Sequence, residues 1–256
     1  MFTPELRRRL SEIARGKSAG PAILADAPAA ERCSAAFDVS GTEERSDLGA
    51  FLVCERRMSE LVADADGLAR RFASTADRLQ CDPSRLLFVD LETCGLANVP
   101  LFLVGTMWLA GTDFQIRQLF ARDYSEEISL LRHVDQITSE LDGFVTFNGR
   151  TFDVPYLQDR MTFHRLEFRP PRVHIDVLQR ARRKWKGELP DCRLQTIEAF
   201  ICGRHRSGDV PGSEIPRLYH EFVKTGNMVP LVPVFRHNVM DLITMAELLP
   251  EVVESE

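Results

Sequence analysis

The run 86-LLFVDLETCGL-96 reads as a buried strand, yet it carries two carboxylates, Asp90 and Glu92, two positions apart. Side chains alternate along a strand, so both acids share a face with Phe88, while Leu87, Val89 and Leu91 share the other. Two anions on one face repel each other unless a positive charge lies between them. On its own, a D-x-E pair is also read as two acids solvated at a sheet edge, and more acids are needed to separate the readings.

Two further stretches supply them. In 144-FVTFNGRTFDVPYL-157 a strand ends at Asn148-Gly149 and Asp153 precedes a helix start. Taken alone, Asp153 is read as an N-cap whose carboxylate accepts backbone N–H groups. In the last helix His237 and Asp241 stand four apart and stack on one face. Val239, Leu242, Ile243, Ala246 and Leu249 form an apolar stripe on the other side. That pair alone is read as a surface contact. Together, the four acids could converge at one edge of a sheet, which is costly without cations and favourable with two Mg²⁺ or Mn²⁺ ions. Hard oxygen ligands select these metals over zinc, and the chemistry they support is hydrolysis of a phosphodiester by an activated water.

Positioning these acids requires an ordered set of elements. Strands are predicted over 85–92, 101–109 and 114–121, with a hairpin turn at 110–113. A helix follows over 125–141, capped by Ser125, and then a fourth strand over 143–147. Three strands in a meander, a helix and another strand open an RNase H-like α/β fold, a central mixed β-sheet flanked by helices. The remainder is predicted to be mostly helical: 154–164, a short strand 172–176 running into 177–185, then 193–201, 214–226 and 234–253. This domain is predicted over 83–256. Residues 1–82 form an N-terminal extension with an amphipathic helix over 3–15, an Ala-, Gly-, Pro- and Ser-rich arm over 18–44, a strand over 50–57 and a helix over 59–79.

Composition narrows the class. With 44% hydrophobic and 27% charged residues in 256, the chain fits a soluble globular protein. No apolar run reaches the ~20 residues of a membrane span. The start MFTPELRRRLSEIARG lacks the hydrophobic core of a secretory signal, so no membrane association and a cytoplasmic location are expected. The six cysteines form no CxxC pair and are expected to be reduced. Cys192, Cys202 and His205 lack a fourth zinc ligand at a recognised spacing. A net charge of −6 argues against unspecific coating of nucleic acid. Residues 169–206, however, hold ten Lys/Arg against four Asp/Glu, which leaves a local basic face open.

Three ordered stretches, FVDLETCGL, FNGRTFDVPYL and RHNVMDLITMAEL, resemble the YprB-like family of RNase H-like proteins, a branch related to the DnaQ-type DEDD exonucleases. HIDVLQRARRKW, LPDCRLQTIE and DVPGSEIPRLYHEF are further family-like blocks, and the resemblance covers residues ~85–250. It implies a metal-dependent nuclease, a 3′→5′ exonuclease on DNA or RNA. It further implies that Asp90 bridges two ions, that Glu92 and Asp241 ligate one and Asp153 the other, and that His237 orients or deprotonates the attacking water. His237 precedes Asp241 by four positions, the spacing of the tyrosine-type branch; the histidine-type enzymes use five.

Substrate contacts are read more coarsely. The stretch 180-RARRKWK-186, with Arg182, Arg183, Lys184 and Trp185, suits phosphate contact and base stacking, and equally a solvated helix face. Asn148 and Arg150, beside the second motif, are further candidates for nucleic-acid contact. Asp176 reads as a helix cap. A catalytically weak binding module, an endonuclease of the same fold, and a protein partner held by the N-terminal arm stay open as alternatives.

Overall fold

In the computed structural model, the described residues are 37–253; the expected helix over 3–15 and most of the Ala-rich arm lie outside them. Seven strands form one mixed sheet: β1 (Thr42–Ser46), β2 (Gly49–Arg57), β3 (Leu86–Thr93), β4 (Leu101–Ala110), β5 (Asp113–Phe120), β6 (Gly143–Thr146) and β7 (Val173–Asp176). Their order is β1-β2-β5-β4-β3-β6-β7. The expected meander is present as antiparallel β3-β4-β5, closed by the turn at Gly111 (φ +71°), and β6 and β7 run parallel to β3. The β1–β2 hairpin, from the N-terminal extension, continues this sheet past β5.

Helices cover both faces, which is why β3 is apolar on both sides. These helices are α1 (Ala65–Ala73), α2 (Ala76–Leu79), α3 (Glu127–Ser139), α4 (Asp153–Phe163), α5 (Val177–Trp185), α6 (Leu194–Ile197), α7 (Ile215–Thr225) and α8 (Val232–Val253). On one face Phe88, Met107, Phe114 and Val145 pack with Phe72 of α1, Trp185 of α5 and Val239, Leu242 and Ile243 of α8. On the other, Leu87, Val89, Leu91 and Phe144 pack with Leu130, Leu131 and Val134 of α3 and Leu157 and Met161 of α4. Alternation therefore turns Asp90 and Glu92, on the Phe88 side, toward α8.

Three expected elements differ. The helix over 59–79 is broken into a 3₁₀ turn, α1 and α2; between α1 and α2, Ser74 and Thr75 return their hydroxyls to the Arg71 and Phe72 carbonyls and compete with continuation. Ser125 does not cap α3: its N–H and hydroxyl both donate to Asp123, and the helix begins at Glu127. The helix over 193–201 is α only to Ile197; a π turn (Glu198–Cys202) follows and ends at Gly203 (φ +68°).

A buried ion pair ties the second motif's helix to the sheet. Glu127 of α3 accepts from Arg160 of α4 at 2.7 and 2.6 Å and from the Leu101 N–H at 2.8 Å, where β4 begins. Breaking such a pair leaves an uncompensated charge in the interior, so α4 and the acid at its start are held firmly against β4.

Candidate active site

Asp90 and Glu92 stand at the C-terminal end of β3, where the register shifts between Glu92 and Thr93. The chain then loops through Cys94–Pro100, closed by the Cys94 N–H on the Pro100 carbonyl at 2.8 Å. Tyr156 of α4 pins this loop by donating its hydroxyl to the Val99 carbonyl at 2.7 Å. In this loop, four residues after Glu92, Leu96 is 88% exposed, an apolar side chain open to water that sequence reading passed over.

Asp153 arrives from the neighbouring parallel strand. Gly149 turns the chain tightly after β6: a Cβ there would lie 2.3 Å from the Thr146 hydroxyl. Asp153 is the first residue of α4, with Phe152 at the cap position, and it is buried. Asp176 holds the same loop from β7, accepting the Asn148 and Arg150 N–H groups at 3.0 and 3.2 Å and capping α5 through the Leu178 N–H at 3.1 Å. The cap reading of Asp176 is correct.

The third motif comes from α8. His237 and Asp241 stack as spaced, with His237 Nε2 3.6 Å from Asp241 Oδ2. The chain between α6 and α7 adds partners that no local pattern announced. Asp209 accepts from His237 Nδ1 at 2.8 Å, and Arg206 Nη1 lies 2.5 Å from Asp241 Oδ1. Glu198, fully buried on the π turn, accepts from Arg206 at 2.6 Å and from Arg204 at 2.5 Å. Asn238, between His237 and Asp241, donates to the Asp90 carboxylate at 2.8 Å.

The electrostatics follow from this crowding. Burial raises the Asp90 carboxyl well above its usual value, and Asp241, Glu92 and Asp153 raise it further. Burial, Asp241 and Asp153 do the same to Glu92. Asp153 is pushed up to about 7, first by burial and then by Asp176 and Asp241, against N–H groups of its own backbone and Leu91. Asp241 is raised by burial although His237 and Arg206 oppose it. For His237, burial is outweighed by Asp209, Asp241 and Asp90, and its pKa rises.

These donors fit hard divalent cations. Four carboxylates from three separate stretches sense one another, and among the described residues no cation makes an ion pair with Asp90, Glu92 or Asp153. Oxygen ligands of this kind take Mg²⁺ or Mn²⁺. No three Asp, Glu, His or Cys side chains among the described residues already surround one ion position.

The basic helix is only partly available. Trp185 is 2% exposed, packed in the core with Ala181 and Val177, so its assignment to base stacking is withdrawn. Lys184 donates to the Glu251 carbonyl. Arg182 and Arg183 face solvent. Arg150 is exposed and donates to the His174 carbonyl at 2.7 Å, and Asn148 accepts from the Thr151 hydroxyl at 2.8 Å. Cys54, Cys81, Cys94, Cys192 and Cys202 carry free thiols. No described helix is long and apolar enough to cross a membrane.

A mixed sheet with an antiparallel meander, helices on both faces and a pair of acids at the end of β3, met by acids from two flanking helices, is an RNase H-like arrangement. The chain belongs to the RNase H superfamily, whose family model matches residues 87–253. It is 33% identical over 172 residues to protein YprB of Bacillus subtilis (strain 168), an alignment spanning 64% of this chain and 41% of that protein. The resemblance to the YprB-like family is thus upheld. The fold is also similar to the family B DNA polymerase from the hyperthermophilic archaeon Pyrobaculum calidifontis, with a TM-score of 0.54 and 15% identity over 68% of this chain and 25% of the polymerase chain.

Proposed function

We propose that the chain is a metal-dependent nuclease that hydrolyses phosphodiester bonds of DNA or RNA, acting as a 3′→5′ exonuclease. The observation that carries this reading is the gathering of four buried, mutually repelling carboxylates, Asp90, Glu92, Asp153 and Asp241, of which only Asp241 has a cationic partner, Arg206 with His237 beside it. These four acids would hold two Mg²⁺ or Mn²⁺ ions, which when bound orient the phosphodiester, lower the pKa of an attacking water and stabilise charge on the leaving oxygen.

The chain's own groups do the rest. His237, its Nδ1 held by Asp209, presents Nε2 toward the acid cluster, where it takes the proton of the attacking water. Leu96 offers an apolar surface to a base next to the scissile bond. Arg150 and Asn148 contact the strand from the loop after β6, and Arg182 and Arg183 contact phosphates further along it. The double variant Arg182→Ala, Arg183→Ala is expected to weaken single-strand binding and to flatten log K against log salt by about 1.4, roughly 0.7 per lost phosphate contact. Fluorescence anisotropy across a salt series checks this, and an unchanged slope removes the helix from the substrate path.

Incubation with 5′-labelled, 3′-labelled and circular single strands in Mn²⁺ tests the direction and mode of cleavage. A ladder that retains the 5′ label with an intact circle is the expected result. Nicking of the circle points to an endonuclease, and binding without cleavage of any strand points to a nucleic-acid-binding module.

A further inference from the structure

Directly after His237, α8 places an amide on its inward face: Asn238 is fully buried. A buried amide must satisfy its donors and its acceptor inside the protein. Asn238 Nδ2 donates to the Asp90 main-chain carbonyl at 3.1 Å and to Asp90 Oδ2 at 2.8 Å. Its Oδ1 accepts from Gln118 Nε2 at 2.9 Å, and the other Nε2 proton goes to the Phe235 carbonyl at 2.8 Å. Gln118, on β5, is also fully buried.

Both ends of this chain of bonds are main-chain carbonyls, which only accept. The Phe235 carbonyl therefore fixes the amide of Gln118, and the Asp90 carbonyl fixes that of Asn238 with its NH₂ toward the acid. The sheet leaves room for the group at Gly105, the partner of Asp90 across β3 and β4. A Cβ at Gly105 would lie 2.2 Å from Asn238 Oδ1. Four elements of structure, β3, β4, β5 and α8, thus converge on the orientation of one carboxylate.

We propose that Asn238, oriented by Gln118, is a positioning residue for Asp90: it holds Oδ2 and leaves Oδ1 as the oxygen offered to a divalent cation. This inference rests on the reading of Asp90 as a metal ligand. A carboxylate fixed by a hydrogen bond loses less freedom when it ligates, and outer partners of this kind typically contribute about 10–100-fold in metal affinity.

Mn²⁺ titration of the full chain, followed by the electron paramagnetic resonance signal of the free ion, tests it in wild type, Asp90→Asn, Asn238→Ala and Gln118→Met, with thermal unfolding of each. Asn238→Ala is expected to weaken Mn²⁺ binding about 10–100-fold. Gln118→Met keeps the volume and Asn238 but removes the donor that orients it, and is expected to weaken binding less. Should Asn238→Ala fail to unfold cooperatively, Gln118→Met decides: weakened binding supports the role, and wild-type affinity overturns it. Wild-type affinity in both variants, with weak binding in Asp90→Asn, overturns the positioning role alone. No Mn²⁺ binding by wild type, or undiminished binding by Asp90→Asn, overturns the metal-ligand reading of Asp90 and the positioning role with it.

Discussion

Asp90→Asn is expected to lower the rate of phosphodiester cleavage by about 10³-fold or more, because charge stabilisation by a bound cation contributes several kcal/mol. The same change should leave the metal-free fold at least as stable as wild type. Asp90 is buried among three other acids that raise its carboxyl, so replacing it with a neutral isostere removes repulsion, and the new amide still offers an oxygen to Asn238. Asp153→Asn is expected to behave alike, since Asp153 is equally crowded. Activity in Mn²⁺ and melting temperature in EDTA, both at pH 8 and measured side by side, check both halves. A variant that keeps wild-type turnover contradicts the site, and one that melts far lower shows the acid to be part of the fold's support.

The second large effect is a dependence of stability on pH and metal. Burial and the neighbouring acids push the Asp153 carboxyl up to about 7, far above its ordinary value of 3.8. The folded state therefore binds this proton more tightly than the unfolded state does. Its contribution is fully present below the unfolded value and is lost as pH rises through about 7, a change of about 4 kcal/mol at most. Asp90, Glu92 and Asp241 are raised as well and act in the same direction. His237, also raised, loses its contribution as pH climbs through its folded value. Asp209 is lowered and opposes this trend only below its unfolded value.

In EDTA the melting temperature is thus expected to fall between pH 5 and pH 8, by about 10 °C at roughly 2–4 °C per kcal/mol. Mn²⁺ should restore more at pH 8 than at pH 5, because at the lower pH protons already neutralise the cluster. Calorimetry at the two pH values, with and without Mn²⁺, reads all four numbers. A melting temperature in EDTA that rises from pH 5 to pH 8 contradicts the crowded-acid account.

Much of the fold was legible because period and chemistry agreed locally. The spacing of Asp90 and Glu92 determined their common face once β3 was recognised, and the i, i+4 spacing of His237 and Asp241 survived because α8 is long and strongly apolar on its other side. Trp185 shows how a residue type can mislead: it falls four residues after Ala181 and eight after Val177, on the buried face of α5, so its helical period carried the answer that its aromatic ring obscured. The break in the helix over 59–79 was hidden because Ser and Thr hydroxyls act on the carbonyls of the preceding turn, which propensity alone does not weigh.

The partners of the site were harder to see. Asp209 and Arg206 reach His237 and Asp241 from across 28 and 35 residues, and nothing in GRHRSGD marks its charges as buried. Asn238 did leave a trace, an amide inside RHNVMD between the two residues singled out. Its meaning depends on Gln118, 120 residues away, and on the gap at Gly105 in a different strand.

The most direct test of a cation-dependent nuclease is a time course on one end-labelled single strand with wild type and Asp90→Asn, in Mn²⁺ and after an EDTA chase. The arrangement of acids predicts a ladder that grows with wild type in Mn²⁺, stops when EDTA is added and does not form with Asp90→Asn. Cleavage that continues in EDTA, or that proceeds undiminished without the Asp90 carboxylate, would contradict it.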